Sequence, residues 1–188
     1  MKYCCECASP VIVKIPEGDT FPRYVCEHCH TIHYQNPKII TGCIATWEEK
    51  ILLCRRAIEP RYGKWTLPAG FMENNETTQQ GAARETLEEA QAVVSDLQLF
   101  GVFNIPHISQ VYMIFHGHAT NDFCAPTHES LEAHFFNEEN IPWNELAFPT
   151  VHECLKLYFA DKKNHQLTVH FGDILRDKQN KVAIRRYS

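Results

Sequence analysis

Two Cys-x2-Cys pairs, Cys4/Cys7 and Cys26/Cys29, stand eighteen residues apart at the start of the chain. Each such turn offers two thiolates to one ion, and together they close a tetrahedral Zn²⁺ site of the structural kind. The constraint is severe, because thirty-odd residues rarely build a core large enough to stay folded without such a staple. The chain is therefore expected to begin with a small β-rich module organised by zinc. Its ligands are Cys4, Cys7, Cys26 and Cys29, with Cys5, His28, His30 and His33 as weaker competitors. The module is expected to end near Asn36-Pro37, since a residue before proline is held in extended backbone. That gives a module of residues 1–36 and a second domain of residues 37–188. Nine cysteines in a chain of 188 residues then read as metal ligands and reduced thiols, not as the disulfide framework of a small secreted protein.

A net charge of −5 supplies no basic field to hold nucleic acid by its phosphates. Within the module, Lys2, Lys14 and Arg23 are outnumbered by Glu6, Glu17, Asp19 and Glu27, which leaves no phosphate-binding stripe. A structural or dimerising role is expected for it, with no nucleic-acid partner. No apolar run approaches the ~18 residues of a membrane span, and the first residues lack a signal-type hydrophobic stretch. The expectation is a cytoplasmic protein without a membrane partner.

After the proline the pattern changes. Ile39–Trp47 and Ile51–Ala57 read as strands joined by a short turn, and Thr77 to Ala90 as a helix with Thr77 and Gln80 in a capping-box pattern. Val93–Ile105, Ile108–Ala119 and Ala133–Phe136 read as further strands, with a polar loop over 120–130. Thr150 with Glu153 marks a second helix reaching about Ala160, and Gln166–Phe171 reads as a strand before a basic tail with Arg185 and Arg186. Strands alternating with two helices indicate a mixed α/β layer architecture.

On the first helix Glu85, Glu88 and Glu89 share one face. Like charges at such spacings repel by roughly 0.2–0.5 kcal/mol per pair, and acids in a last turn oppose the helix dipole by about 0.3–1 kcal/mol each. One neighbouring guanidinium, Arg84, cannot neutralise three carboxylates; a hard divalent cation can. A solvated acidic face is the ordinary alternative. The surroundings weigh against it: Trp65-Thr66-Leu67-Pro68-Ala69-Gly70 is a rigid turn, Glu76 precedes the helix cap, and Gly81 inside the helix suggests close approach of another element.

Gly70, five residues, Glu76, seven residues and then Arg84-Glu85-Thr86-Leu87-Glu88-Glu89 resembles the Nudix box, G-x5-E-x7-R-E-U-x-E-E-x-G-U, where U is a bulky aliphatic. Gly70, Glu76, Arg84, Glu85, Glu88 and Glu89 agree with it. Thr86 and Ala92 stand where the family prefers aliphatics, Gln91 replaces the final glycine, and Ala69 stands where many members have the first glycine of a pair. The resemblance covers about residues 38–160 and implies the Nudix α/β/α sandwich with a mixed sheet, here behind a zinc ribbon. It implies Glu85, Glu88 and Glu89 as Mg²⁺ or Mn²⁺ ligands, the Ala69 carbonyl as a further one, and a Glu76–Arg84 ion pair orienting the helix. The implied reaction is attack of water on a phosphorus of a nucleoside diphosphate linked to another group. For the general base the candidate is Glu132, with Glu129 behind it.

The NADH pyrophosphatase group of that family carries S-Q-P-W-P-F-P-x-S after the box, where this chain has Ser109-Gln110-Val111-Tyr112-Met113-Ile114. Phe103-Asn104-Ile105-Pro106, Ser130-Leu131-Glu132 and Leu146-Ala147-Phe148 resemble instead a ribbon-bearing subgroup with FAD and ADP-ribose pyrophosphatases. The resemblance thus implies FAD or ADP-ribose as substrate, with AMP and the other monophosphate as products; NADH cleavage and a non-hydrolytic sensor are the alternatives. Arg55, Arg56 and Gly70 are candidate substrate-binding residues, Phe71 and Tyr112 candidate stacking partners, and a homodimer is expected by analogy.

Overall fold

The computed structural model describes residues 1–177, 179 and 181–187. The chain divides into two compact units, residues 1–37 and the residues from Lys38 on. In the first, β1 (Val11–Lys14), β2 (Arg23–Cys26) and β3 (Ile32–His33) form an antiparallel sheet in that order. The residue after each Cys-x2-Cys pair, Ala8 and His30, is left-handed at φ 59 and 60, so both turns fold back in the same way. Cys4, Pro16, Val25, Cys26 and His33 are its buried residues. Two of the five are candidate zinc ligands, which is how little apolar core the unit has.

The second unit is built on one sheet. Its strands are β4 (Lys38–Trp47), β5 (Lys50–Arg56), β6 (Trp65–Thr66), β7 (Ala69–Phe71), β8 (Val94–Ile105), β9 (Gln110–Ala119), β10 (Ser130–Phe136), β11 (His170–Arg176) and β12 (Val182–Tyr187). Among the described residues the order is β10-β5-β4-β9-β8-β11-β12, with β6 on β5 and β7 on β4. The β4–β9 and β11–β8 pairs are parallel and the others antiparallel. Two helices, α1 (Thr78–Ala90) and α2 (Pro149–Lys163), complete it.

Strand periodicity places the helices on opposite faces. In β4, Cys43 and Ala45 pack with Ala82 and Ala90 of α1, while Ile44 packs with Val151, Leu155 and Phe159 of α2. β5 repeats the division, Leu52 and Cys54 against Ile51 and Leu53. Alternate side chains point to opposite faces, so a central strand covered on both is apolar where it is covered, as residues 43–45 and 51–54 are. The result is an α/β/α sandwich. Among the described residues no helix is long and apolar enough to cross a membrane.

Several elements differ from the sequence expectation. The second helix does not start on a Thr150–Glu153 capping box: Phe148 is its N-cap, without a side-chain bond, and Pro149 takes the first helical position. Thr150 and Glu153 are instead buried inside it. Glu153 carries a carboxylate into the interior because Arg186 of β12 meets it with two hydrogen bonds, 2.5 and 3.2 Å. The strand expected at Gln166–Phe171 lies later, as β11, and the supposed basic tail is β12, paired with β11 from Phe171/Tyr187 to Arg176/Val182. Glu132 sits on a strand and not in a loop, since β10 begins at Ser130.

Candidate active site

The thiol sulfurs of Cys4, Cys7, Cys26 and Cys29 all lie within 4.8 Å of one another, with Cys4–Cys29, Cys7–Cys26 and Cys7–Cys29 each at 3.5 Å. Zn–S bonds of ~2.3 Å in a tetrahedron need sulfurs ~3.8 Å apart, so the four fit a zinc ion. Buried His33 places Nε2 3.3 Å from Cys4 Sγ and Nδ1 3.6 Å from Cys5 Sγ. Of the sequence competitors, Cys5 and His33 thus stand next to the cluster and outside it.

In the second unit, α1 begins at the Thr77 cap, whose hydroxyl accepts from Gln80 N while the Gln80 side chain accepts from Thr77 N. The helix packs closely on β4 because Gly81 has no side chain: a Cβ there would stand 2.6 Å from Thr41 Oγ1 and 2.8 Å from Glu76 Oε1. The departures from the family pattern find their compensation here. Gln91 takes the left-handed C-cap conformation, φ 55, at a cost glycine would not bear, while its side-chain amide donates to Pro126 O at 3.1 Å. Buried Thr86 returns its hydroxyl to Ala82 O at 2.8 Å. Ala69 has no positive φ, and its methyl fits because Gly42 lies opposite it in the ladder.

The same helix buries two of its three acids. Glu85 and Glu89 are 7% and 5% exposed, while Glu88 reaches out to solvent. Arg84 is the hub: it bonds Glu76 bidentately at 2.9 and 3.0 Å, donates one nitrogen to both Glu85 and Glu88 at 2.8 Å, and reaches Phe71 O at 3.1 Å. Beside this guanidinium the Glu76 carboxyl falls to about 2. Glu89 has no such partner. Burial, then the neighbouring Glu85 charge, push its carboxyl up to about 8, and among the described residues its Oε2 is buried without a hydrogen bond. An orphaned carboxylate oxygen costs several kcal/mol of lost hydration unless something answers it.

Glu85 in turn lies against the backbone of Gly70. A Cβ at Gly70 would stand 2.3 Å from Glu85 Oε1, so this glycine keeps room for the carboxylate. The all-oxygen set of Glu85, Glu88, Glu89 and the Ala69 backbone suits Mg²⁺ or Mn²⁺. Gly70→Ala is expected to fold, with a small shift in melting temperature, and to weaken Mg²⁺ binding at least ~10-fold by displacing Glu85; isothermal titration with MgCl2 measures this.

All three acids open on a cavity of about 530 Å³. Its floor and sides include Ile40, Phe71, Tyr112, Ile114 and Phe148, and Arg56, seated 5.2 Å over the Phe148 ring and held by a 2.9 Å bond to Pro60 O, enters its wall. The candidates divided between cavity and surface as follows. Arg56, Ala69, Gly70, Phe71, Arg84, Glu85, Glu88, Glu89, Tyr112 and Glu129 line it. Arg55 and Glu132 do not: they are cross-strand partners on β5 and β10, ion-paired at 2.6 Å, and Arg55 also binds Gly63 O. Sequence reasoning also missed Arg176 and Ile174 of β11. Their signal was the apolar pair Ile174-Leu175 in a segment read as tail.

A family model described as "Nudix N-terminal", a zinc ribbon, matches residues 2–35, and one described as "NUDIX domain" matches residues 37–167. An NAD-capped RNA hydrolase NudC of Vibrio cholerae is 34% identical over 119 residues, covering 62% of this chain and 44% of that protein. An ADP-ribose pyrophosphatase of Methanocaldococcus jannaschii is 30% identical over 121 residues, covering 61% and 69%. This chain spans about half the length of the NudC relatives. The crystal structure of a Nudix hydrolase from Nitrosomonas europaea superposes with a TM-score of 0.89 at 57% identity, over 93% of this chain and 99% of that one. With most of its length inside the domain match and the acids of the box gathered on one cavity wall, the chain belongs to the Nudix family and carries that family's zinc ribbon at its N-terminal end.

Proposed function

We propose that the chain is a Mg²⁺- or Mn²⁺-dependent pyrophosphatase that cleaves a nucleoside diphosphate linked to a second moiety, FAD or ADP-ribose by preference, releasing AMP and the other monophosphate. The observation that carries this reading is the buried, unpartnered Glu89 carboxylate oxygen on the same cavity wall as Glu85 and Glu88. The relatives support the substrate class, since ADP-ribose and an NAD cap both contain an adenosine diphosphate joined to a second ribose. The cavity suits it in size, as small-molecule sites run to ~300–1,000 Å³.

Bound there, the dication would neutralise the diphosphate oxygens and acidify an attacking water. Glu85, Glu88 and Glu89 would hold it, and Arg84 keeps the first two in place. Arg56 takes a substrate phosphate, braced by Pro60 and Phe148. Tyr112 and Phe71 offer rings to a base or flavin and keep that end dry. For the proton of the attacking water the cavity favours Glu129, whose carboxylate faces the same space as Glu85 and Glu89, over Glu132, which Arg55 holds outside it.

The test is a Mg²⁺ and Mn²⁺ panel of ADP-ribose, FAD, NADH and NAD-capped RNA, read as released AMP. Glu129→Gln is expected to lower kcat by ~10²-fold or more, and Glu132→Gln to leave it within a few-fold. The opposite order would return the base to Glu132. Tight binding across the panel without hydrolysis would make the chain a sensor. We further propose a cytoplasmic setting.

A further inference from the structure

The loop between β9 and β10, residues 120–129, carries Glu129 and contains no helix or strand of its own. Such a segment holds a side chain in place only as well as it is itself held. Here it is fastened to the last turn of α1, the turn that bears Glu88 and Glu89. Ala125 N–H donates to Ala90 O at 2.8 Å, answering a carbonyl that a helix end leaves without an intrahelical partner. Beside it the Gln91 side-chain amide donates to Pro126 O at 3.1 Å. From Pro126 the chain reaches Glu129 in three residues. There Glu129 N donates to Thr127 Oγ1 at 3.2 Å, and Glu129 O accepts from Ala57 N at 2.8 Å. The Glu129 carboxylate meets exposed His128 at 3.4 Å, a contact too weak to fix it, so its position follows from the backbone beneath.

Position 91 is where the box has glycine, and its φ of 55 is the left-handed conformation that glycine adopts without steric cost. What glutamine has there and glycine lacks is the amide that reaches Pro126. Glu129 lines the cavity with Glu85 and Glu89, and after burial its charge is among the causes that push both carboxyls up. A general base must lie within about 2.6–3.2 Å of the proton it takes, and a misplacement of ~1 Å can cost ~10²-fold in rate. A bond between the helix of the carboxylates and the loop of the base therefore bears directly on turnover.

We infer that Gln91 is a positioning residue, which ties the 120–129 loop to the end of α1 and so fixes Glu129 relative to Glu85 and Glu89. The inference deepens the pyrophosphatase reading and rests on Glu129 as base for its effect on turnover, but not for the tether itself.

Gln91→Gly removes the tether and the left-handed strain together. It should melt at or above the wild-type temperature while kcat falls ~10-fold and KM stays within about twofold, opposite directions that a general loss of stability does not produce. Gln91→Met keeps the length and the strain without the donor, and should lose kcat to the same extent with no gain in melting temperature. Gln91→Lys returns a donor at similar reach and should keep kcat within about threefold. In a Glu129→Gln background, Gln91→Gly should cost less than about twofold more, because it acts through that carboxylate. Hydrogen exchange read by mass spectrometry needs no turnover: peptides over residues 120–130 should exchange at least ~5-fold faster in Gln91→Gly and Gln91→Met, with those of β9 unchanged. Unchanged loop exchange in both variants overturns the inference. So does wild-type kcat in Gln91→Gly where Glu129→Gln is slow, or a loss that multiplies with that of Glu129→Gln. Faster loop exchange with wild-type kcat in Glu129→Gln, or in a chain that hydrolyses no pyrophosphate, upholds the tether and removes the catalytic reading of Glu129 instead.

Discussion

Glu85→Gln should fold like the wild-type chain and lose at least ~10²–10³-fold in kcat, equivalent to about 3–4 kcal/mol of barrier. Glu85 is buried, shares Arg84 with Glu88 and presses on the Gly70 backbone. The amide is the same size, so packing is conserved while an anionic ligand becomes neutral. Removing a buried like charge next to Glu89 also relieves repulsion, so thermal stability without metal should hold or rise as activity collapses. Raising Mn²⁺ should recover only part of the rate. Activity retained near wild-type in Glu85→Gln, with the substitution confirmed by mass, would sink the metal-centred reading of this helix.

Removing zinc should have the second large effect, confined to the first unit. Binding free energies of structural zinc are on the order of 10–16 kcal/mol, and most of that is folding free energy. The ribbon's few buried residues include Cys4 and Cys26 themselves, and Val13, Ile15 and Phe21 are exposed, so little apolar burial remains once the thiolates separate. Treatment with a strong chelator should release one zinc per chain, measured by a colorimetric indicator, and collapse the amide spectrum of residues 1–37. Resonances of the unit from Lys38 on should persist. Stoichiometry of zero in freshly purified protein would defeat the assignment.

The parts of this protein that chemistry forces into fixed spacing could be read directly from residue order. Four thiolates around one ion and three carboxylates on one helical face leave few alternatives, and the Thr77–Gln80 cap is a local interaction that residue order states in full. What could not be read depends on distant partners. Thr150 and Glu153 imitate a capping box, but Pro149 starts the helix and Glu153 answers an arginine 33 residues later. Glu129 and Glu132 look interchangeable until the register shift between Ser130 and Glu132 sends one to the cavity and pairs the other with Arg55. Arg185 and Arg186 read as a solvated tail because an edge strand has no alternation to betray it, its side chains being exposed almost throughout.

The clasp between Glu153 and Arg186 has a consequence for how the molecule is made. Glu153 is synthesised 33 residues before Arg186, so the acid destined for the interior is made before its counter-ion can meet it. Until β12 has paired with β11, the helix has reason to stay loosely docked. Chains cut short by premature termination would then expose the face that covers the sheet, a form that quality-control proteases recognise.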